Sequence, residues 1–216
     1  MVKRKKSYIK KINQLDTLSV HAGVKTDPLT GAVMTPIYAT STYAHDRPGE
    51  HKGYEYSRSQ NPTREVLENS IAELESGYRA FAFASGVAAQ TAILDLLKPG
   101  DHVIAFDDLY GGTFRLFNEI KSKSSNIEFT FVDLNTNFSK EIKKNTKMIW
   151  IETPTNPLLK ITDLKRIARI ARKNKLITVC DNTFATPYNQ RPLEHGIDIV
   201  NHSTTTYING HSDVLG

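Results

Sequence analysis

The sequence predicts a three-layer αβα fold, of the α/β class, with a mostly parallel central sheet. From Asn61 onward, short apolar runs alternate with segments whose apolar residues recur at helical spacing. This order is typical of parallel strands joined by helices that cover both faces of a sheet. The 216 residues, 39% of them hydrophobic and 24% charged, also suffice for one soluble domain with a buried core.

Residues 1–60 are predicted to be an N-terminal tail followed by an extended arm. Residues 1–14 read as a tail with some helical character, and residues 15–60 are rich in Thr, Pro, Gly, Tyr and His with little helical periodicity. A long irregular segment of this kind usually has a function or is held by a partner. Residues 61–216 are predicted to be the large domain that contains the sheet.

Helices and strands are predicted in turn along residues 61–216. Asn61 or Thr63 caps the first helix, which Gly77 ends. The elements that follow are a strand at 79–84, a helix at 86–97, a strand at 102–106, a helix at 113–121, strands at 127–132 and 148–152, a helix at 162–173, and strands at 176–180 and 197–202. Ligands of open α/β sheets bind beyond the carboxyl ends of the strands, so the residues after each strand are the candidates for a site.

Composition and charge argue against several classes of protein. The longest apolar runs are too short to cross a bilayer, and no apolar stretch follows the basic N-terminus as it would in a signal peptide. Six of the 28 lysines and arginines fall within the first eleven positions. A solvated tail explains this cluster better than nucleic-acid binding, because no basic face or recognised module accompanies it. The single Cys180 lies in an apolar run and is interpreted as buried, consistent with a reducing cytoplasm.

Polar residues follow the first two predicted strands of residues 61–216. Ser85, Gly86 and Val87 open a helix, where free backbone N–H groups and the helix dipole attract an anion. A tight turn without a ligand is the commoner origin of such a Ser-Gly pair. Tyr110 stands beside two glycines, so its ring can lie flat over a ligand, although packing in the core explains it equally well.

The last three predicted strands are followed by a second group of polar residues. Two X-Pro bonds after Glu152 predict a rigid loop that aims Glu152 and Asn156. Asp181 ends a buried strand, where a carboxylate is costly unless it is paired with a cation. Ser203 and Thr205 are two hydroxyls on one side of the chain. With the helix start and the tyrosine, these groups suit a phosphorylated, planar, protonated heterocycle.

Six short motifs occur in one order along the chain. They are YSRSQNPT from Tyr56, FASGVAA from Phe83, YGGT from Tyr110, ETPTNP from Glu152, DNT from Asp181 and YINGHSD from Tyr207. On these motifs, residues 16–216 closely resemble the cystathionine γ-synthase/γ-lyase group of pyridoxal 5'-phosphate (PLP) enzymes of cysteine and methionine metabolism. The resemblance implies an aspartate-aminotransferase-like fold and trans-sulfuration by γ-replacement or γ-elimination on homoserine-derived or cystathionine substrates, with cystathionine β-lyase as the near alternative.

The resemblance also implies which residues hold the cofactor. Tyr110 would stack on the ring of PLP and help in proton transfer. Asn156 would contact the phenolic oxygen of the ring, and Asp181 would pair with the pyridinium nitrogen. The phosphate would be bound by the backbone N–H groups of Gly86 and Val87, the hydroxyls of Ser203 and Thr205, and Tyr56 and Arg58 of an adjacent subunit. The chain is therefore predicted to act as a homo-oligomer on a small amino-acid substrate in the cytoplasm. A solvated surface arginine is the alternative for Arg58.

Position 206 departs from the pattern of the family. The family has its Schiff-base lysine there, whereas Thr206 carries a hydroxyl, which cannot form an imine, and no lysine occurs after Lys175. The resemblance further implies a C-terminal domain, absent from these 216 residues, that carries an arginine for the substrate carboxylate. We therefore expect a truncated large domain with impaired catalysis. The alternatives are a catalytically dead remnant and a module for noncovalent PLP binding or oligomerisation.

Overall fold

The computed structural model describes residues 15–216, so the predicted tail at 1–14 lies outside the described residues. The chain divides into two compact units, of which one ends at Ala82 and the other is Phe83–Gly216. The domain boundary expected after residue 60 stays a prediction. No helix among the described residues is both long and apolar enough to cross a membrane.

The first unit contains the irregular arm and one long helix. Its elements are α1 (Leu15–His21), the short antiparallel strands β1 (His45–Arg47) and β2 (Glu50–His51), and α2 (Pro62–Leu74). Helix α2 begins where the sequence predicts, because the side-chain oxygen of Asn61 accepts hydrogen bonds from the backbone N–H groups of Thr63 at 2.8 Å and Arg64 at 3.4 Å.

The second unit is built around a five-stranded parallel sheet. Its strands are β3 (His102–Phe106), β4 (Glu128–Val132), β5 (Thr146–Glu152), β6 (Ile177–Asp181) and β7 (Ile199–Asn201), in the spatial order β4-β3-β5-β6-β7. Every neighbouring pair is parallel, which confirms the predicted sheet. The registers place Glu152 beside Asp181 and Asp181 beside Asn201, so the polar ends of β5, β6 and β7 meet at one edge.

Helices alternate with these strands, as the three-layer fold requires. They are α3 (Gly86–Leu94), α4 (Gly111–Arg115), which continues through a π-helical segment (Leu116–Lys121) into α5 (Ser122–Ser124), α6 (Leu164–Asn174) and α7 (Thr186–Asn189), with 3-10 turns at Phe138–Glu141 and Pro192–His195. The apolar face predicted for α6 is buried, as Ile167 and Ala171 show. Phe106, Phe117 and Trp150 lie fully buried in the core.

The strand predicted at 79–84 is wrong. Within residues 15–216 this segment pairs with no strand of either sheet. Phe81 and Phe83 are 63% and 44% exposed, so its alternating apolar side chains have no packed face. A strand is stabilised by hydrogen bonds to a neighbour as well as by its own residue pattern, and the pattern alone does not supply that neighbour.

A buried histidine joins three strands of the sheet. His102, at the start of β3, bonds through Nδ1 to the hydroxyl of Thr146 on β5 at 2.7 Å and through Nε2 to the hydroxyl of Thr130 on β4 at 2.9 Å. Burial, together with the charge of Lys143, lowers the pKa of His102 below its ordinary value. The folded protein therefore favours the neutral imidazole.

This histidine is expected to make stability depend on pH. The unfolded chain binds the proton more readily, so the contribution of His102 is fully present above about pH 6.5 and is lost as the pH falls below it. We expect the free energy of unfolding of the natural chain to fall more steeply towards low pH than that of His102→Gln. Urea unfolding followed by Trp150 fluorescence measures both. The same substitution at the exposed His211 is the control, and an equal effect there would contradict the prediction.

Candidate functional site

A buried carboxylate lies at the centre of the carboxyl edge of the sheet. Asp181 is 6% exposed, and one of its oxygens accepts hydrogen bonds from the amides of Gln90 at 3.2 Å and Asn201 at 3.1 Å. Its other oxygen accepts the backbone N–H of Thr183 at 3.0 Å. Among the ion pairs of residues 15–216, none involves Asp181. The carboxylate is thus held by neutral donors, and its charge is left for a cationic ligand to balance.

Gln90 and Asn201 belong to this site although sequence reasoning did not select them. Gln90 is itself fixed by the hydroxyl of Thr113, which donates to its side-chain oxygen at 3.0 Å. Gln90 lies four residues after Gly86 and therefore on the same face of α3. That spacing was the one signal in the sequence that could have identified it.

The start of α3 lies against the residues that follow β7. The hydroxyl of Ser85 accepts the backbone N–H of Ala88 at 3.1 Å and caps the helix. A Cβ at Gly86 would lie 2.9 Å from Cβ of Ser203, so only glycine permits this approach. The first N–H groups of a helix have no partner within it, and Gly86 places this end of the helix beside Ser203, which was also predicted to bind phosphate.

The two predicted phosphate-binding hydroxyls converge on one oxygen. Ser203 and Thr205 both donate to the carbonyl oxygen of Gly216, at 3.3 Å and 3.2 Å. The backbone N–H of Thr204 donates to the same oxygen at 3.0 Å, and phosphate binding by the two hydroxyls stays a prediction. Thr206 lies next to them with an exposed side chain, whose hydroxyl donates to the carbonyl oxygen of Ser203 at 3.4 Å.

Tyr110 and Asn156 are brought together by a second buried carboxylate. Glu152, at the end of β5, accepts the backbone N–H of Tyr110 at 3.1 Å and that of Asn156 at 2.8 Å, one on each oxygen. The ring of Tyr110 is 48% exposed and lies over Gly112, where a Cβ would stand 2.4 Å from the ring. Glycine at 112 therefore permits this position of the ring, and the stacking of the ring on a ligand stays a prediction.

The electrostatics of this edge favour a bound cation. Burial and then the charge of Asp181 raise the pKa of Glu152 to about 8, against the two N–H donors, which lower it. The described residues include no group of His, Cys, Asp and Glu side chains that could hold a metal ion. A protonated ring nitrogen beside Asp181 would supply the missing positive charge, so the residues present fit PLP.

Tyr56 and Arg58 form a pair in the first unit. The guanidinium of Arg58 donates to the hydroxyl of Tyr56 at 3.0 Å and lies 4.9 Å from the centre of its ring. The tyrosine ring steadies the guanidinium and leaves its remaining N–H groups available. Their predicted contact with the cofactor of an adjacent subunit stays a prediction.

The parallel sheet and its polar edge define a class of protein, the large domain of the aspartate-aminotransferase-like fold with a site whose chemistry fits PLP. The family model of the Cys/Met metabolism PLP-dependent enzymes matches residues 16–216, and the chain belongs to this family. Members of the family use PLP. The resemblance predicted from the six motifs is thus confirmed.

Relatives with different reaction names are similar to this chain. It is 57% identical over 208 residues to a cystathionine beta-lyase of Coxiella burnetii, which covers 95% of this chain and 54% of that protein. It is 54% identical over 202 residues to a cystathionine gamma-lyase of Bacillus subtilis, covering 93% of this chain and 53% of that protein. The chain therefore spans about half the length of these curated relatives.

Solved structures support the same fold. MetB from Corynebacterium glutamicum matches with a TM-score of 0.91 and 46% sequence identity, covering 94% of this chain and 54% of that one. Cystathionine gamma-lyase from Lactobacillus plantarum matches with a TM-score of 0.90 and 46% identity, covering 94% of this chain and 53% of that one. The predicted αβα fold is confirmed.

Proposed function

We propose that this chain binds PLP noncovalently at the carboxyl ends of its strands and does not form the Schiff base made by lysine-containing members of its family. The observation that carries the proposal is the buried Asp181, which is held by three neutral donors and lies in a site that has threonine at position 206. Bound PLP supplies an electron sink for negative charge on a substrate carbon. Thr206 has no amine to anchor the cofactor or to move protons.

Each predicted site residue has a part in this proposal. Asp181 balances a protonated ring nitrogen, Tyr110 stacks on the ring and Asn156 contacts its oxygen. The phosphate is bound by Gly86 and Val87 through their N–H groups, by Ser203 and Thr205 through their hydroxyls, and by Tyr56 and Arg58 of a neighbouring copy. A homo-oligomer in the cytoplasm follows from that last contact and from the reducing environment inferred for Cys180.

The activity of the whole protein is proposed to be trans-sulfuration with impaired chemistry at position 206. The substrate class is a small amino acid, either cystathionine or an activated homoserine derivative, processed by γ-replacement or γ-elimination. A β-lyase is the second candidate, because the relative at 57% identity carries that name. A noncatalytic module that keeps PLP or assembles with other copies is consistent with the same site.

PLP titration of the unmodified chain tests this proposal. We expect saturable binding, seen by absorbance and equilibrium dialysis, that dialysis reverses and borohydride does not fix to the protein. Because positioned proton transfer is worth about 10²–10⁴ in rate, turnover of cystathionine should be at least about a hundredfold below that of a lysine-containing member. Absence of saturable binding would exclude noncovalent PLP binding by this chain. Turnover comparable with that of the lysine-containing enzyme would exclude impaired catalysis.

A further inference from the structure

Two loops at the carboxyl edge of the sheet carry the residues expected to contact the PLP ring. We call residues 107–110, between β3 and α4, the tyrosine loop, and residues 153–160, after β5, the proline loop. Tyr110 of the first loop and Leu158 of the second are 48% and 67% exposed. Leu109 of the tyrosine loop is buried in the core, so packing fixes part of that loop, and hydrogen bonds between the loops position their exposed residues.

Glu152 connects both loops to the end of β5. Its two oxygens accept the backbone N–H groups of Tyr110 at 3.1 Å and Asn156 at 2.8 Å. The carboxylate is 5% exposed, so water does not compete strongly for these bonds. One side chain thereby fixes the backbone position of both ring-contacting residues.

Asp108 makes the reverse connection, from the tyrosine loop to the proline loop. One of its oxygens accepts the hydroxyl of Thr155 and the backbone N–H of Leu158, the latter at 3.1 Å. Asp108 is 8% exposed and Thr155 is fully buried. At the outer side, Lys160 donates to Asp107 at 2.9 Å, which adds a third bridge between the same loops.

Three acids, Glu152, Asp108 and Asp181, lie at this edge of the sheet, which is more negative charge than is needed to hold two loops together. Glu152 lies beside Asp181 in the register of β5 and β6, and Asp108 also contributes an unfavourable charge at Glu152. Bracing two loops does not in itself require three acids near one another. A site that receives a cationic ring gains from them, because the ring attracts all three carboxylates.

We propose that Glu152 and Asp108 form a carboxylate clamp, which holds Tyr110 and Asn156 at a fixed separation and so determines the affinity and orientation of the PLP ring. Both are positioning residues, since they act through the two loops. The proposal rests on the proposed PLP binding and goes beyond it, because it assigns the geometry of the ring site to two residues that were not expected to touch the cofactor.

Binding is also expected to release a proton from the clamp. The groups facing Glu152 are the carboxylates of Asp181 and Asp108 and the backbone N–H groups of Tyr110 and Asn156. A cationic ring beside Asp181 would offset its charge and lower the raised pKa of Glu152. The affinity for PLP should therefore increase as the pH rises towards about 8, and Glu152→Gln should remove that part of the pH dependence.

The test compares two clamp variants with a matched control. Glu152→Gln replaces one of the two accepting oxygens with an amide donor, and Asp108→Asn replaces a charged acceptor with a neutral, weaker one. Asp198→Asn is the control, because one oxygen of Asp198 likewise accepts a backbone N–H and a hydroxyl, both of Thr178, at 2.9 Å and 2.8 Å. Thr178 stands near the start of β6, so this carboxylate acts at the opposite end of the sheet.

We expect the Kd for PLP to rise about ten- to a hundredfold in each clamp variant and to stay within about twofold in Asp198→Asn. Amide hydrogen exchange of the unliganded protein should quicken at Tyr110 and Asn156 in the clamp variants only. Unchanged Kd values in folded clamp variants, or an equal loss in the control, would overturn the clamp.

Hydrogen exchange in the natural chain separates this inference from the proposed function. Should the chain bind no PLP, the proposed function and the effect of the clamp on the ring both fail, and exchange decides only whether the two loops are braced. Protection of the Tyr110 and Asn156 amides sustains the bracing, and their free exchange overturns it. If neither clamp variant folds, hydrogen exchange in the natural chain still decides whether the two loops are braced.

Discussion

Thr206→Lys is expected to convert a reversible PLP complex into a covalent one. The new amine would stand next to Ser203 and Thr205, the predicted phosphate ligands, where an imine to the cofactor aldehyde can form. The threonine side chain is exposed, and its one described hydrogen bond, to the carbonyl of Ser203, is 3.4 Å long, so its replacement should leave the fold intact. After borohydride reduction, the mass of nearly every chain should increase by one cofactor.

Thr206→Met is the matched control for this experiment. Methionine has a similar length and no amine, so it should bind PLP reversibly and show no increase in mass after reduction. If Thr206→Lys binds PLP and stays unmodified, position 206 does not reach the cofactor. If the unmodified chain is labelled to the same extent, another amine holds the aldehyde and the role assigned to this position is wrong.

Asp181→Asn is expected to weaken PLP binding by about a hundred- to several-thousandfold. Removing one partner of a buried charge pair typically costs about 3–5 kcal/mol, and this carboxylate is placed to balance the ring nitrogen. The substitution keeps the size of the side chain, removes its charge and replaces one of its two accepting oxygens with a donor. Titration by absorbance gives the Kd, and the rise in unfolding temperature on adding PLP should nearly disappear.

Asp198→Asn again provides the comparison, because it makes the same change in net charge at the other end of β6. Its Kd should remain close to that of the natural chain. An equal loss of PLP affinity in both variants would show that the effect comes from the overall electrostatic field of the protein. Unchanged binding in Asp181→Asn would show that the ring nitrogen is not paired with this residue.

The strands were predictable because most of them are continuous apolar runs in the sequence. His102–Phe106 is found with the predicted bounds, and the other four strands of the sheet differ by a few residues at their ends. The prediction of a strand at 79–84 was wrong because strand pairing depends on a neighbouring strand as well as on the local residue pattern. The π-helical segment Leu116–Lys121 was not predicted, because apolar spacing barely distinguishes it from an α-helix.

The site was only partly predictable, for a different reason. Asp181 and Ser203 follow strands directly, so the topology rule for α/β sheets located them. Gln90, by contrast, reaches Asp181 across 91 positions of sequence, and Asp108 reaches Leu158 across 50. Such bonds depend on how the elements meet in space, which a single sequence does not encode in any local pattern.

The exposure of Thr206 also has a genetic consequence. Gly86 cannot accept a side chain without displacing Ser203, whereas position 206 is at the surface and admits many residues. Codons for threonine and lysine can differ by a single base. From a threonine codon that ends in A or G, one base change gives a lysine codon, so a single point mutation would place an amine at this position.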